Sequence, residues 1–229
     1  GATSLEGQLS ALKAAAQHEK QVRAQAASEQ LAKVLKPATA QVHAPDEVQV
    51  TIEPLAEGVA VRFPFRTLVP AAAFQSRSVA WVVFDTTLPV GLPEISGKAL
   101  EYLRAIEPVG VAGARALRFN LTGRINLGAT RDGNSWIITL KSTQMTPRVL
   151  VRSDTFVDPV GTRTRRFPVT GAGTTFTLVD SESGGLLLVT PITDISTGVL
   201  QGEELSAASV LPTAQGIVVA PRNSQVTVT

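Results

Sequence analysis

The first part of the chain carries a helical pattern of apolar positions. Residues 4–36 are rich in Ala, Leu, Gln, Glu and Lys and contain no proline before Pro37, which predicts one long helix. Its apolar stripe, spaced mainly at three and four residues, consists of Leu5, Leu9, Leu12, Ala16, Ala24, Ala27, Leu31 and Val34. The stripe is narrow and alanine-rich, so the helix needs a surface to lie against.

This helix has two competing interpretations. The first is that it docks on another subunit or on another part of the protein, with Leu5, Leu9, Leu12, Leu31 and Val34 as the partner-binding residues. The second is that it covers an edge or a face of the neighbouring β region. We favour docking, because the linker at 38–46 directly follows Pro37, contains Pro45 and does not oblige the helix to fold back.

From residue 47 onward the pattern changes to short runs of Val, Ile, Thr, Phe and Trp separated by Gly and Pro. Such runs predict many short antiparallel strands. The polar segments 75–78, 131–134 and 180–185 are predicted hairpin turns between them. The predicted organisation is therefore a helix at 1–37, a linker at 38–46 and a mainly β region at 47–229.

The β region contains recurring landmarks, which suggest tandem units of about fifty residues. Successive units carry a proline landmark, an Arg-Phe pair and an apolar strand. The proline landmarks are Ile52-Glu53-Pro54, Ile106-Glu107-Pro108, Val157-Asp158-Pro159 and the looser Val210-Leu211-Pro212. The Arg-Phe pairs are Arg62-Phe63, Arg118-Phe119 and Arg166-Phe167, and the strands that follow begin at Trp81, Trp136 and Leu186. Units at about 47–100, 101–152, 153–205 and a partial 206–229 would resemble propeller blades or small sandwich modules.

Composition and charge narrow the function classes. Hydrophobic residues make up 44% and charged residues 17%, and no apolar run reaches the length of a membrane span. The net charge of +2 is too small for a nucleic-acid interface. The chain has no cysteine, which excludes disulfides and thiolate sites and is compatible with the periplasm. Because it begins Gly1-Ala2 and ends in a strand-like run, we expect it to be part of a longer protein.

One basic cluster stands out in the third unit. Arg163, Arg165 and Arg166 occur within four residues, with Arg148 and Arg152 upstream. A charge-guarded strand edge is the favoured interpretation, since exposed edges are commonly protected by charge. A binding site for an anionic ligand is the alternative.

Residues with catalytic or metal-binding chemistry are sparse. His18 and His43 have no second ligand at metal-binding spacing, and the aspartates Asp85, Asp132, Asp158, Asp180 and Asp194 occur at predicted turns or strand ends, where aspartate bonds to the backbone. The regular placement of Phe63, Phe65, Trp81, Phe84, Phe119 and Trp136 favours core positions over stacking platforms for sugars or bases. We expect no catalytic residue, no cofactor and no metal site.

The segment 58–85, GVAVRFPFRTLVPAAAFQSRSVAWVVFD, together with the alanine-rich bias, resembles uncharacterised alphaproteobacterial envelope proteins that join β repeats to helical, often tetratricopeptide, regions. It is also similar to AMIN-type modules, which bind cell-wall components or secretion-channel partners in the periplasm. The resemblance covers about 48–140, but the chain lacks a tetratricopeptide signature and its repeat is longer than an AMIN module.

The predicted architecture, the lack of candidate catalytic residues and the resemblance together suggest a non-enzymatic scaffold in the periplasm or cell envelope. Such a scaffold would bind other proteins through its helix and its strand edges. A carbohydrate- or peptidoglycan-binding module is the alternative, and an exposed cluster of aromatic residues would favour it.

Overall fold

The computed structural model describes residues 46–76, 78–157, 159–161 and 163–228, and this part of the chain is mainly β, as predicted. The predicted helix at 4–36 lies outside the described residues, together with its partner-binding residues Leu5, Leu9, Leu12, Leu31 and Val34. Both remain predictions. Within the described part, no helix is long and apolar enough to cross a membrane.

The described residues form twenty strands and one short 3-10 helix, Gly97–Glu101. The strands are β1 (Val48–Gln49), β2 (Thr51–Leu55), β3 (Gly58–Pro64), β4 (Ala71–Ser76), β5 (Val79–Phe84), β6 (Val90–Gly91), β7 (Leu103–Val111), β8 (Ala114–Leu121), β9 (Asn126–Asp132), β10 (Ser135–Lys141), β11 (Val149–Leu150), β12 (Asp154–Val157), β13 (Arg163–Arg166), β14 (Phe176–Val179), β15 (Leu186–Thr190), β16 (Thr197–Gly198), β17 (Glu203–Glu204), β18 (Ala208–Val210), β19 (Thr213–Gln215) and β20 (Ile217–Pro221).

Three larger sheets hold most of these strands. Sheet I has the order β2-β3-β10-β9, sheet II the order β19-β4-β5-β8-β7, and sheet III the order β14-β15-β20-β18-β17. Three two-stranded sheets, β1-β6, β11-β16 and β12-β13, complete the described structure. All pairings within the larger sheets are antiparallel.

Sheet II packs on both of its faces. Along β5, Ala80 and Phe84 belong to a core shared with sheet I, whereas Trp81 and Val83 belong to a core shared with sheet III. Successive side chains of a strand point to opposite faces, so every residue of β5 is buried. This explains the uninterrupted apolar run VAWVVF, which is the sequence signature of a strand covered on both sides.

A third apolar core lies on the other face of sheet III. Its buried members include Ile192, Val210 and Val219, and Phe167 packs against it as a half-buried neighbour. The predicted polar turns at 131–134 and 180–185 connect antiparallel pairs, β9 with β10 and β14 with β15. The hairpin prediction is therefore confirmed at both turns.

The strands of the first two predicted units pair across the unit boundary. Strand β3 of the first unit lies beside β10 of the second, and β5 of the first lies beside β8 of the second. The sheets therefore do not coincide with the units at 47–100 and 101–152. Tandem duplication itself stays a prediction.

The two tryptophan strands also differ in register. Trp136 lies opposite Phe63, but Trp81 lies opposite Arg118, while Ala80 lies opposite Phe119. A one-residue difference in register exchanges the two faces of a strand. Trp136 consequently packs between sheets I and II, and Trp81 packs between sheets II and III.

Candidate functional site

An exposed apolar surface lies on the hairpin formed by β12 and β13, residues 154–166, which we call the basic hairpin. Phe156 and Val157 on β12 are 50% and 54% exposed, and Val160 in the connecting loop is 87% exposed. The two strands pair with each other, from Asp154 opposite Arg166 to Val157 opposite Arg163. Within the described residues neither strand pairs with a third. An isolated two-stranded hairpin is only marginally stable in water, so contacts at its base must hold it in place.

Contacts with the rest of the β region anchor the base of the basic hairpin. Arg165 forms an ion pair with Glu203 of β17 and donates a hydrogen bond to the Thr155 hydroxyl at 2.6 Å. Ser153 Oγ donates to the same Glu203 carboxylate at 2.6 Å. Directly after β13, Phe167 packs against the outer core of sheet III. The chain therefore enters and leaves the hairpin from fixed points.

Beyond this base, the hairpin combines an aromatic ring with a cation. The guanidinium of Arg166 lies over the ring of Phe156, with its carbon 5.5 Å from the ring centroid. Such contacts stabilise by about 0.5–1 kcal/mol at exposed sites. The pair orders both side chains while leaving the ring half exposed.

The positive charge of the chain is concentrated in the basic hairpin and the segment that leads into it. Residues 148–166 contain five arginines and two aspartates, a net charge of +3, whereas the whole chain carries +2. All other residues together therefore carry −1. Segment 148–166 is therefore a basic region on an otherwise nearly neutral chain. Within it the basic hairpin, 154–166, carries three arginines and two aspartates, a net charge of +1.

A polar cluster around Asp180, by contrast, has a structural role. The carboxylate of Asp180 accepts hydrogen bonds from Ser183 Oγ at 2.6 Å, Ser76 Oγ at 3.2 Å and the Glu182 amide at 3.3 Å. Burial would raise the pKa of Asp180, but these donors outweigh it and hold the pKa below its ordinary value. The cluster closes the β14–β15 turn and ties it to β4, as expected for a turn aspartate.

Three other aspartates also bond to neighbouring strands or loops. Asp132 forms an ion pair with Arg62 at 3.2 Å, Asp85 accepts from the Thr174 amide at 2.7 Å, and Asp194 accepts from the Thr170 hydroxyl. Asp158 lies outside the described residues, and so do both histidines.

The arginines of the first two Arg-Phe pairs hold strands together. Arg118 donates to the Glu107 carboxylate directly across the β7–β8 pair, and this bond lowers the pKa of Glu107. Arg62 similarly lies 3.6 Å from Glu53 on the neighbouring strand β2. Cross-strand pairs of opposite charge are a usual source of sheet stability.

The predicted core aromatics are buried, which confirms that interpretation. Phe63, Phe119 and Trp136 are fully buried, and Trp81 is 1% exposed. The Trp136 indole N–H donates to the Val69 carbonyl at 2.7 Å, whereas no acceptor is present for Trp81 Nε1 among the described residues.

The described residues also form a small cleft. It has a volume of about 130 Å³ and lies between strands of sheets I and II and the loops that follow them, with Phe74, Leu127, Met145, Val199 and Pro212 in its lining. Its lining has no charged side chain. In the described part of the chain, no group of three or more His, Asp or Glu residues is placed to hold a metal ion.

Sequence reasoning located the arginines of the hairpin but not its exposed apolar residues. Val157 was assigned to a repeat landmark, and Phe156 and Val160 were not singled out. The usable signal was β13 itself, RTRR, because three arginines in four residues leave no apolar face to bury.

Comparison with known proteins adds no family: no family model matches the chain, and neither the curated proteins nor the solved structures give a match.

Proposed function

We propose that the protein is a non-enzymatic scaffold that binds other proteins, and that the basic hairpin is its main docking surface. The observation that carries this proposal is the exposure of Phe156, Val157 and Val160 on an anchored hairpin with a net positive charge. Exposed apolar groups beside arginine are typical of the residues that dominate protein interfaces.

The predicted helix at 4–36 is the second docking element of this proposal, and it rests on the sequence pattern. The assignment to a periplasmic or cell-envelope assembly rests on the absence of cysteine and on the resemblance of segment 58–85 to envelope proteins.

The burial of the aromatic residues makes the carbohydrate-binding alternative less well supported. All eleven aromatic residues of the chain fall within the described part, and there only Phe156 is exposed. Sugar binding by stacking would need a platform of several exposed rings.

The decisive experiment places a photo-crosslinking amino acid at position 156 in cells that produce the protein. The matched control carries the same amino acid at Leu100, which is 51% exposed but lies on the 3-10 helix, away from the hairpin in sequence. We expect a discrete protein adduct from position 156 and none from position 100. Adducts to glycan alone, or equal adducts from both positions, would contradict the proposal.

The helix is tested separately by changing Leu9 and Leu12 to Asp. If the helix docks on a partner, association or oligomerisation is lost while the melting temperature of the β region is unchanged. A markedly lower melting temperature would show instead that the helix belongs to the core of the β region.

A further inference from the structure

Three strands of the chain share the same local setting but not the same neighbours. Strands β3, β8 and β13 are each the second strand of an antiparallel hairpin, and each carries the arginine of an Arg-Phe pair. Strand β3 pairs with β10 on its far side, and β8 pairs with β5. Strand β13 has no such neighbour among the described strands. Strand β15, which begins at the Leu186 landmark of the third predicted unit, pairs with β14 and β20 instead.

From this difference we infer that the far edge of β13 accepts an extended acidic segment of another protein as an additional strand. The inference rests on the proposed function and specifies how the partner binds and which kind of segment it offers. A strand edge presents backbone N–H and C=O groups that another polypeptide strand can satisfy, which gives the affinity of strand addition.

Charge determines the kind of segment that fits. Three of the four residues of β13 are arginine, so a second copy of this strand would place like charges opposite each other. Residues 1–45 of the same chain carry five basic and three acidic residues and are also net positive. An acidic segment from a different protein is the complementary occupant.

Protection of the strand edge by charge is the simpler explanation of the arginines. That explanation covers the arginines but no other feature of the hairpin. It does not account for Phe156 and Val157, which expose apolar surface on the adjacent strand. By register, each face of the hairpin combines an arginine with an apolar residue: Phe156 shares one face with Arg166, and Val157 shares the other with Arg165. A partner strand that carries both acidic and apolar residues would match both features.

The test uses the full chain and a synthetic peptide, acetyl-EVETEVEV-amide, followed by amide hydrogen exchange. We expect salt-sensitive binding and protection of alternate amides within residues 163–166, because only every second N–H of a strand points to its far edge. The amides of β12 should be unchanged. A lysine peptide of the same pattern, acetyl-KVKTKVKV-amide, should not bind.

Matched charge variants locate the contact. Arg166→Glu should weaken peptide binding about fivefold or more, since it replaces an attraction by a repulsion of similar size. Arg104→Glu makes the same charge change at an exposed position of β7, an edge strand of sheet II. This control should change the affinity for the peptide by no more than about twofold. Thr164→Glu, which adds an acid to β13 without removing an arginine, should weaken binding as Arg166→Glu does. Exchange in the free variants verifies that β12 and β13 still pair.

The outcomes separate this inference from the proposed function. Binding without protection of 163–166 would overturn strand addition while leaving a docking hairpin. Equal losses of peptide affinity for Arg166→Glu and Arg104→Glu would show a non-specific charge effect and would also overturn strand addition. No binding of the acidic peptide at millimolar concentration, or binding only to phosphatidylglycerol vesicles, would overturn it as well. The crosslinking experiment at position 156 tests the proposed function independently.

Discussion

Sheet II and the basic hairpin are built from similar antiparallel hairpins but differ in the number of faces that they bury. In sheet II, β5 is buried at every position, between two apolar cores. In the basic hairpin, every residue of β12 is exposed. The same type of backbone pairing thus serves as the centre of the structure in one place and as a projecting surface in the other.

The difference follows from the side chains that each strand offers to its two faces. The run VAWVVF of β5 supplies apolar groups to both sides, so that sheets can pack on each. The run RTRR of β13 supplies none, and no sheet formed by the described residues pairs with the hairpin. Backbone pairing determines the ladder, and side-chain composition determines how many layers cover it.

Truncation of a tryptophan in the layered region should have the largest effect. Trp136→Ala and Trp81→Ala are each expected to lower the free energy of unfolding by about 3–5 kcal/mol, through lost burial and the cavity left behind. Chemical denaturation of each variant without added ligand measures this. A shift below about 1 kcal/mol for either variant would contradict its assignment to a core.

Replacing each tryptophan by phenylalanine should separate the two cores. Trp136→Phe removes the hydrogen bond to the buried Val69 carbonyl, whereas Trp81→Phe removes an indole N–H that has no acceptor among the described residues. We therefore expect Trp136→Phe to cost about 1–3 kcal/mol more than Trp81→Phe, the penalty of an unsatisfied buried group. Equal costs in denaturation would indicate that the Trp81 N–H has a partner, such as a buried water.

The sequence was sufficient for the local features of the fold. Short apolar runs between Gly, Pro and polar turns predicted the β class, and the turns at 131–134 and 180–185 lie where their polar residues placed them. The burial of Phe63, Phe119 and both tryptophans also followed from the pattern. These features depend on residues close together in the chain.

Long-range pairing could not be predicted in the same way. Nothing in β3 or β10 specifies that they lie side by side, because many apolar strands of the chain would form equally good ladders. The one-residue register difference between Trp81 and Trp136 is likewise invisible in the repeat landmarks, yet it assigns the two rings to different cores. The basic hairpin was recognised as charged, but its exposure depends on how distant strands of the described part of the chain pack, which its own residues do not encode.

Asp180 gives a smaller effect with a defined pH dependence. Asp180→Asn removes a carboxylate that accepts several hydrogen bonds, and we expect a loss of about 1–3 kcal/mol near neutral pH. Because its pKa in the folded protein is lowered, this stabilisation is complete above the unfolded pKa of about 3.9 and is lost as the pH falls through the folded value. The free energies of unfolding of wild type and variant, measured by denaturation between about pH 7 and pH 2, should therefore converge at the acidic end. A constant difference at all pH values would contradict this account.

Truncation in the basic hairpin should have the smallest effect on stability. Phe156→Ala removes a half-exposed ring and its contact with Arg166, so the free energy of unfolding should fall by less than about 1 kcal/mol. Phe119→Ala makes the same chemical change in sheet II, where the ring is fully buried, and should cost about 3–5 kcal/mol. The pair of variants compares the two regions with the residue type held constant. If Phe156→Ala also costs several kcal/mol in the full chain, another part of the protein covers this ring, and the basic hairpin is an internal contact instead of a surface for a partner.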